Sequence, residues 1–224
     1  MMVDTLAQLW EDRHELEPRL TDDAFCRETA EGREEYATLL IEIDNESIGR
    51  SLTEAMDALN GIEGVSTPPS EYLHITVKTI GFVVEEPTNE YEVSPGDIRE
   101  ISTAVESLFE DIDPFVVELP RLNLFPSVVL CEVRKQGELA ELHQRVLSVP
   151  NVIEHQYDGD SYTPHVSIAH FRTESGFRSA RSWVEQNREI ETQSVTVDAI
   201  RLIEMDPRTL YPNFETVQQF DLGE

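Results

Sequence analysis

Strand and helix patterns alternate along this chain as hairpins and single crossovers, without a regular β-α-β succession, and this order predicts an α+β fold. Two further observations agree. Neither GxGxxG nor GxxxxGK followed by Ser or Thr occurs, so the glycine-rich phosphate loops that open many doubly wound sheets are missing. Short strand-like runs are separated by segments with helical spacing, such as Ile98, Ile101, Val105 and Leu108 on one face.

The elements follow in order. Residues 1–35 are polar and read as a helical N-terminal extension. Leu6, Leu9, Trp10, Leu16 and Leu20 can form one apolar stripe, with a break and restart at Pro18 and Thr21. Residues 36–224 form the main domain. YATLLIEI at 36–43 is a strand, and Asn45 or Ser47 caps a helix running to about Asn60, with Gly61 after its end. GVSTPPS is a loop, 72–84 is a strand, and 85–97 is a long acidic loop. A helix over 97–111 follows, then strands at 115–119 and 127–134 flanking PRLNLFP. A helix over 137–147 carries Leu139, Leu142, Val146 and Leu147. The strand 162–171 precedes a helix over 174–187, and strands at 194–204 and 214–222 close the chain.

The 224 residues suffice for one large domain or two lobes sharing a core. No apolar run approaches a transmembrane helix and the N-terminus does not read as a secretory signal, so a cytoplasmic location is expected, with no membrane partner. Cys26 and Cys131 show no metal spacing and are expected to be reduced, buried or half-buried thiols. The 45 acids and 17 bases give a net charge of −28, and only Lys78 and Lys135 are lysines. The acids are spread along the whole chain, which reads as a solvated acidic surface and not as a tail. With lysine so scarce, this points to a halophilic protein from a salt-rich cytoplasm, where screening removes the self-repulsion. Such a charge does not exclude an RNA substrate, because the phosphate-counterion term is weak at molar salt.

One pattern repeats. His74-Ile75-Thr76-Val77 and His165-Val166-Ser167-Ile168 both read His, aliphatic, hydroxyl, aliphatic, each inside a predicted strand. Alternation across a strand predicts that His74, Thr76 and Lys78 share one face, and His165, Ser167 and Ala169 another. A lone histidine on a strand is usually structural, and His14, His143, His155 and His170 are read as surface or loop residues. Two copies at matching strand positions point instead to a working pair. The stretches 72–84, 119–131 and 161–173 contain no acid, leaving Lys78, Arg121 and Arg172 without acidic sequence neighbours, which suits a phosphate site. The chemistry fits phosphodiester cleavage. One imidazole can deprotonate the attacking oxygen, the other can protonate the leaving one, and the hydroxyls can donate to nonbridging oxygens. No carboxylate or Cys stands at ligand spacing to either histidine, so neither a metal nor another cofactor is expected.

These motifs resemble the 2'-5' RNA ligase / RNA 2',3'-cyclic phosphodiesterase branch of the 2H phosphoesterase superfamily. LHITVKTIG (Leu73 to Gly81) is similar to its LHLTLKFLG, and YTPHVSIA (Tyr162 to Ala169) to its FxPHVTLA. Asn123-Leu124-Phe125-Pro126 resembles the turn before the second half, and VDAIRLIEM with FETVQQFDL resembles the closing strands, so the likeness covers about residues 36–222. Departures are His170 where a basic residue is common, Thr79 where phenylalanine is expected, and Ser167 for threonine. The resemblance implies two lobes related by a pseudo-twofold, each an antiparallel sheet with outer helices, their motif strands lining a central cleft. It implies opening of RNA or nucleotide 2',3'-cyclic phosphates to 2'-phosphates by a monomer, with reverse 2'-5' ligation in some members. His74, Thr76, His165 and Ser167 would be catalytic, and Lys78, Tyr162 and Arg172 would contact substrate. Two alternatives stay open: the same chemistry on a 2'-5' or 3'-5' linkage or a small cyclic nucleotide, and a non-catalytic RNA- or nucleotide-binding module.

Overall fold

The computed structural model describes residues 5–43, 48–134 and 136–223. Two short helices, α1 (Thr5–Glu11) and α2 (Asp23–Ala30), precede β1 (Tyr36–Glu42). Then come α3 (Gly49–Asn60), β2 (Val65–Ser66), β3 (His74–Val83), β4 (Glu92–Val93) and α4 (Pro95–Phe109). The second half runs β5 (Phe115–Leu124), β6 (Val128–Glu132), α5 (Gly137–Leu147), β7 (His165–Phe171), α6 (Glu174–Gln186) and β8 (Glu189–Val197). The chain closes with β9 (Ala199–Met205) and β10 (Glu215–Asp221). The proposed helix caps Asn45 and Ser47, and Lys135, lie outside the described residues. No described helix is long and apolar enough to cross a membrane.

The strands form one large, mainly antiparallel sheet in the order β10-β9-β1-β3-β7-β6-β5-β8, with β4 added to β3 and β2 to β7. Its two halves repeat each other. In each, a strand, a helix and a motif strand follow in sequence (β1-α3-β3 and β6-α5-β7), the two strands pair antiparallel, and two more strands extend the sheet outward. That is the pseudo-twofold pair of lobes. The motif strands β3 and β7 meet at the axis, where Ile75 faces Val166.

The helices tie the lobes together. α3 packs on β7 and β8 of the opposite lobe, and α5 packs on β3 of the first. The helical spacing of Leu52, Ala55, Met56 and Leu59 buries one face of α3. Each fully buried leucine contributes about 1.5–3 kcal/mol. Because each lobe lends a helix to the other, one continuous core holds Leu39, Val77 and Ile101 together with Val117, Ile168 and Phe177. Separating the lobes would expose that core to water.

Several boundaries differ from the sequence expectation. α4 begins at Pro95, inside the acidic stretch, because Ser94 and Asp97 form a reciprocal capping box and proline suits the first turn. The same stretch contains β4, held by Phe82 N–H donating to Tyr91 O at 2.8 Å. Gly81 makes that approach possible: its φ is +146°, and a Cβ there would sit 2.7 Å from Tyr91 O. β5 runs straight through Pro120, where the register slips between Leu119 and Arg121, so the missing N–H interrupts no ladder bond. Finally, 194–204 is not one strand. The chain leaves the second lobe at Val197 and re-enters the first at Ala199.

Candidate active site

A β-bulge in each motif strand decides which side chains face the cleft. Along β1–β3, Leu40 pairs with Thr76 and Leu39 with Lys78, so Val77 is the extra residue. Along β6–β7, Leu130 pairs with Ser167 and Val129 with Ala169, so Ile168 is the extra residue. Paired residues share a face, so the polar face carries His74, Thr76 and Thr79 in one lobe and His165, Ser167 and His170 in the other. Simple alternation put Lys78 and Ala169 on that face. The bulge turns both toward the helices, where Lys78 is 1% exposed and Ala169 is fully buried. His170, read from sequence as a surface or loop residue, belongs on the cleft face instead. No sequence signal marks the extra residue, because Val77 and Ile168 are themselves good strand formers.

At the axis, continuing the Ile75–Val166 register by one residue either way sets His74 opposite Ser167 and His165 opposite Thr76. Such neighbours have Cβ atoms about 5 Å apart, and the diagonal between the two histidines is about 7–8 Å. Each imidazole is held the same way. His74 Nδ1 lies 2.7 Å from Tyr72 O, and His165 Nδ1 lies 2.8 Å from Thr163 O. A carbonyl only accepts, so Nδ1 carries the proton in both rings and the neutral ring keeps a free lone pair on Nε2. Aromatic rings wall the pair: Tyr72 and Phe214 lie 5.2 and 5.3 Å from His74, and Phe125 lies 4.9 Å from His165. Burial pulls His74 down to about 4, partly opposed by the Tyr72 carbonyl and reinforced by His165. Burial lowers His165 as well, against the Thr163 carbonyl. His170 is also pushed down to about 4 by burial, then by His74 and Arg172, and its Nδ1 lies 3.2 Å from the Tyr211 hydroxyl.

A buried polar cluster braces the first bulge from behind. The carbonyls of Thr76 and Val77 accept from the Tyr162 hydroxyl and His143 Nδ1, each at 2.8 Å. His143 Nε2 accepts from Gly159 N–H at 3.0 Å, so the ring is a neutral strut, and Tyr162 stacks on it at 4.0 Å. His143 is therefore fully buried and not a surface residue. Lys78 Nζ lies 2.5 Å from Asp158, which also accepts His155 N–H. Burial draws the Lys78 ammonium below its ordinary range despite that partner. Lys78 and Tyr162 thus stand behind the motif strand, while Arg172 lies exposed beyond its counterpart in the other lobe, close enough to lower His170. Arg121, free of acidic sequence neighbours, meets them in space: it pairs with Glu132 at 2.7 Å, and Glu132 also takes Asn123 and Arg188. Both cysteines are free thiols. Among the described residues, no three His, Cys, Asp or Glu side chains gather as a metal-ligand group.

The bracing and the buried rings each set an expected stability effect. Tyr162→Phe deletes a donor to Thr76 O and should cost about 1 kcal/mol in urea titration; an unchanged midpoint would mean that the carbonyl is satisfied otherwise. The pH dependence comes from the histidines. Folded His74 and His170 hold their protons less tightly than the unfolded chain, so unfolding takes up protons between about pH 6.5 and 4. Their contribution is complete above about 6.5 and is lost as pH falls toward 4. The urea midpoint should drop over that window, and His170→Asn should flatten the drop.

A bilobal antiparallel sheet with a histidine and a hydroxyl from each lobe on one cleft defines the 2H class of phosphoesterase folds. Residues 52–209 match the model of the 2'-5' RNA ligase superfamily. The chain belongs to that family. No curated protein matches the sequence. Solved structures show the same fold at low identity. E. coli LigT complexed with 3'-AMP is 13% identical with a TM-score of 0.61, covering 86% of this chain and 100% of its own. The same protein complexed with NADP+ is 13% identical with a TM-score of 0.61, at 85% and 99% coverage. TT0787 of Thermus thermophilus is 15% identical with a TM-score of 0.58, at 84% and 98% coverage.

Proposed function

We propose that this chain is a metal-independent phosphodiesterase that opens RNA or nucleotide 2',3'-cyclic phosphates to 2'-phosphates, using His74 and His165 as acid and base. The observation that carries the reading is the matched pair of Nδ1 tethers, which leave two Nε2 atoms for one substrate. One neutral Nε2 takes the proton of a water whose oxygen attacks phosphorus. The other, as imidazolium, gives its proton to the departing 3' oxygen, and the P–O3' bond breaks. Thr76 and Ser167 donate to the nonbridging oxygens as charge builds on them. Arg172 supplies a cation at the rim, and the complexes of LigT with 3'-AMP and phosphate suit a phosphate-bearing ligand. Lys78 and Tyr162, in this reading, hold the bulge that aims Thr76. With a 5'-hydroxyl in place of water as the attacking group, the same displacement, with the P–O3' bond breaking, would give a 2'-5' linkage. The acidic surface suits work in a salt-rich cytoplasm.

The depressed histidines give the reading a pH signature. In the free protein both imidazoles are mostly neutral at pH 7, so the protonated partner is scarce. A bound phosphodiester anion raises the acid's affinity for its proton. The pH optimum of kcat/KM should therefore lie on the acid side of about 6.5, and the basic limb of kcat should lie at higher pH than that of kcat/KM. Rate profiles on a 2',3'-cyclic nucleotide in molar KCl with EDTA present check this. A profile flat from acid to alkaline pH would count against a histidine acid.

A further inference from the structure

We propose that residues 5–31 wall off one end of the cleft, so that the site accepts a cyclic nucleotide or a very short oligonucleotide end and rejects a long RNA strand. The inference rests on the phosphodiesterase reading above and adds the size of the substrate.

The path of the segment carries the argument. α1 lies on the cleft face of the second lobe, not on an outer surface. Leu6 is 6% exposed and packs on Val128 and Leu130, the strand neighbours of His170 and Ser167. Its carbonyl accepts from Asn123 Nδ2 at 2.8 Å, and Asn123 is fully buried. Leu9 and Phe125 border the same patch, and Phe125 is the ring set against His165. A helix of the extension therefore touches the wall of the reaction centre through one side chain.

The chain then crosses between lobes. Arg19 N–H donates to Pro126 O and Thr21 N–H to Phe171 O, both at 2.8 Å, at the turn before β6 and the end of β7. Asp22 caps α2, and Asp23 accepts Leu210 N–H at 2.9 Å, in the first-lobe loop that carries Tyr211 and Phe214. The segment is thus pinned to the lobe of His165 and to the aromatic loop beside His74. A polynucleotide lying along the second lobe's cleft face would have to occupy the place of α1. Charge acts in the same sense: residues 5–31 hold eight acids and three arginines, which repels phosphates where salt does not screen them.

The test is kcat/KM in molar KCl for a series of substrates ending in a 2',3'-cyclic phosphate: mononucleotide, dinucleotide and long RNA. The intact chain should favour the mononucleotide over the long RNA by at least about tenfold, a discrimination in the range a shaped pocket supplies. Leu6→Glu puts a charge against Val128 and Leu130 and should release α1, raising the long-RNA rate relative to the mononucleotide. Circular dichroism shows whether that variant folds; if it does not, the length series on the intact chain decides. Equal kcat/KM across the series overturns the inference and leaves the proposed function standing. No turnover of any member overturns the proposed function itself and, with it, the inference.

Discussion

Replacing His74 or His165 by alanine should cut cyclic phosphodiester turnover about 10²–10⁴-fold in each case, the usual worth of a positioned general acid or base. The double variant should be scarcely slower than either single, because an acid and a base acting in one step are not additive. The loss should appear in kcat, since each side chain works on the transition state and adds little to ground-state binding. Fold must be checked alongside. His74 sits among Tyr72 and Phe214, and His165 against Phe125, so alanine removes ring contacts worth about 0.5–1.5 kcal/mol each. That is too little to unfold a domain of this size and far less than the kinetic effect. Steady-state rates in molar KCl, with circular dichroism as control, separate the two. A folded single variant with undiminished kcat would end the two-histidine mechanism. A wild-type chain that binds RNA or nucleotide but turns over no cyclic, 2'-5' or 3'-5' substrate would be a binding module.

The second large effect is on stability. Lys78→Met should destabilise the fold by about 3–5 kcal/mol, because it leaves Asp158 buried without its cation. Lys78→Met combined with Asp158→Leu should recover most of that loss, since a buried pair exchanged for apolar groups of similar size is often neutral. Urea titration of the wild type, both singles and the double gives the coupling directly. If Lys78 instead reached a substrate phosphate, Lys78→Met would raise KM with little change in the urea midpoint. The ion pair and the bulge make the opposite pattern the expected one.

The repeated His-x-hydroxyl motif stood out because it sits in two strands whose β-branched and aromatic residues announce them, and because a strand's period of two separates imidazole from core. The α+β order, the amphipathic faces of α4 and α5, and the capacity for acid–base chemistry were legible for the same reason: each is written in neighbours a few residues apart. The faces beyond the hydroxyl were not. Lys78 and Ala169 were assigned by alternation, and one extra residue at Val77 and at Ile168 reversed them. Similarly, His143 and His170 carried no mark of their roles, because the partners that give them meaning, Val77 O, Gly159 N–H, Tyr211 and His74, lie far away in sequence or arrive by the bulge.

The acid-free stretches show the same division. They suggested that Lys78 and Arg121 had no acid nearby, yet Asp158 and Glu132 reach them across the fold. The sequence alone determined most of the elements and the repeated motif pair, because local propensity and side-chain chemistry need no distant partner. Only the tertiary structure decided which cations are paired inside the fold, which histidines face the cleft, and that α1 packs on the cleft face of the second lobe. Those depend on strand register, on a helix exchanged between lobes and on burial, and each is a sum of long-range contacts that no short window of residues contains.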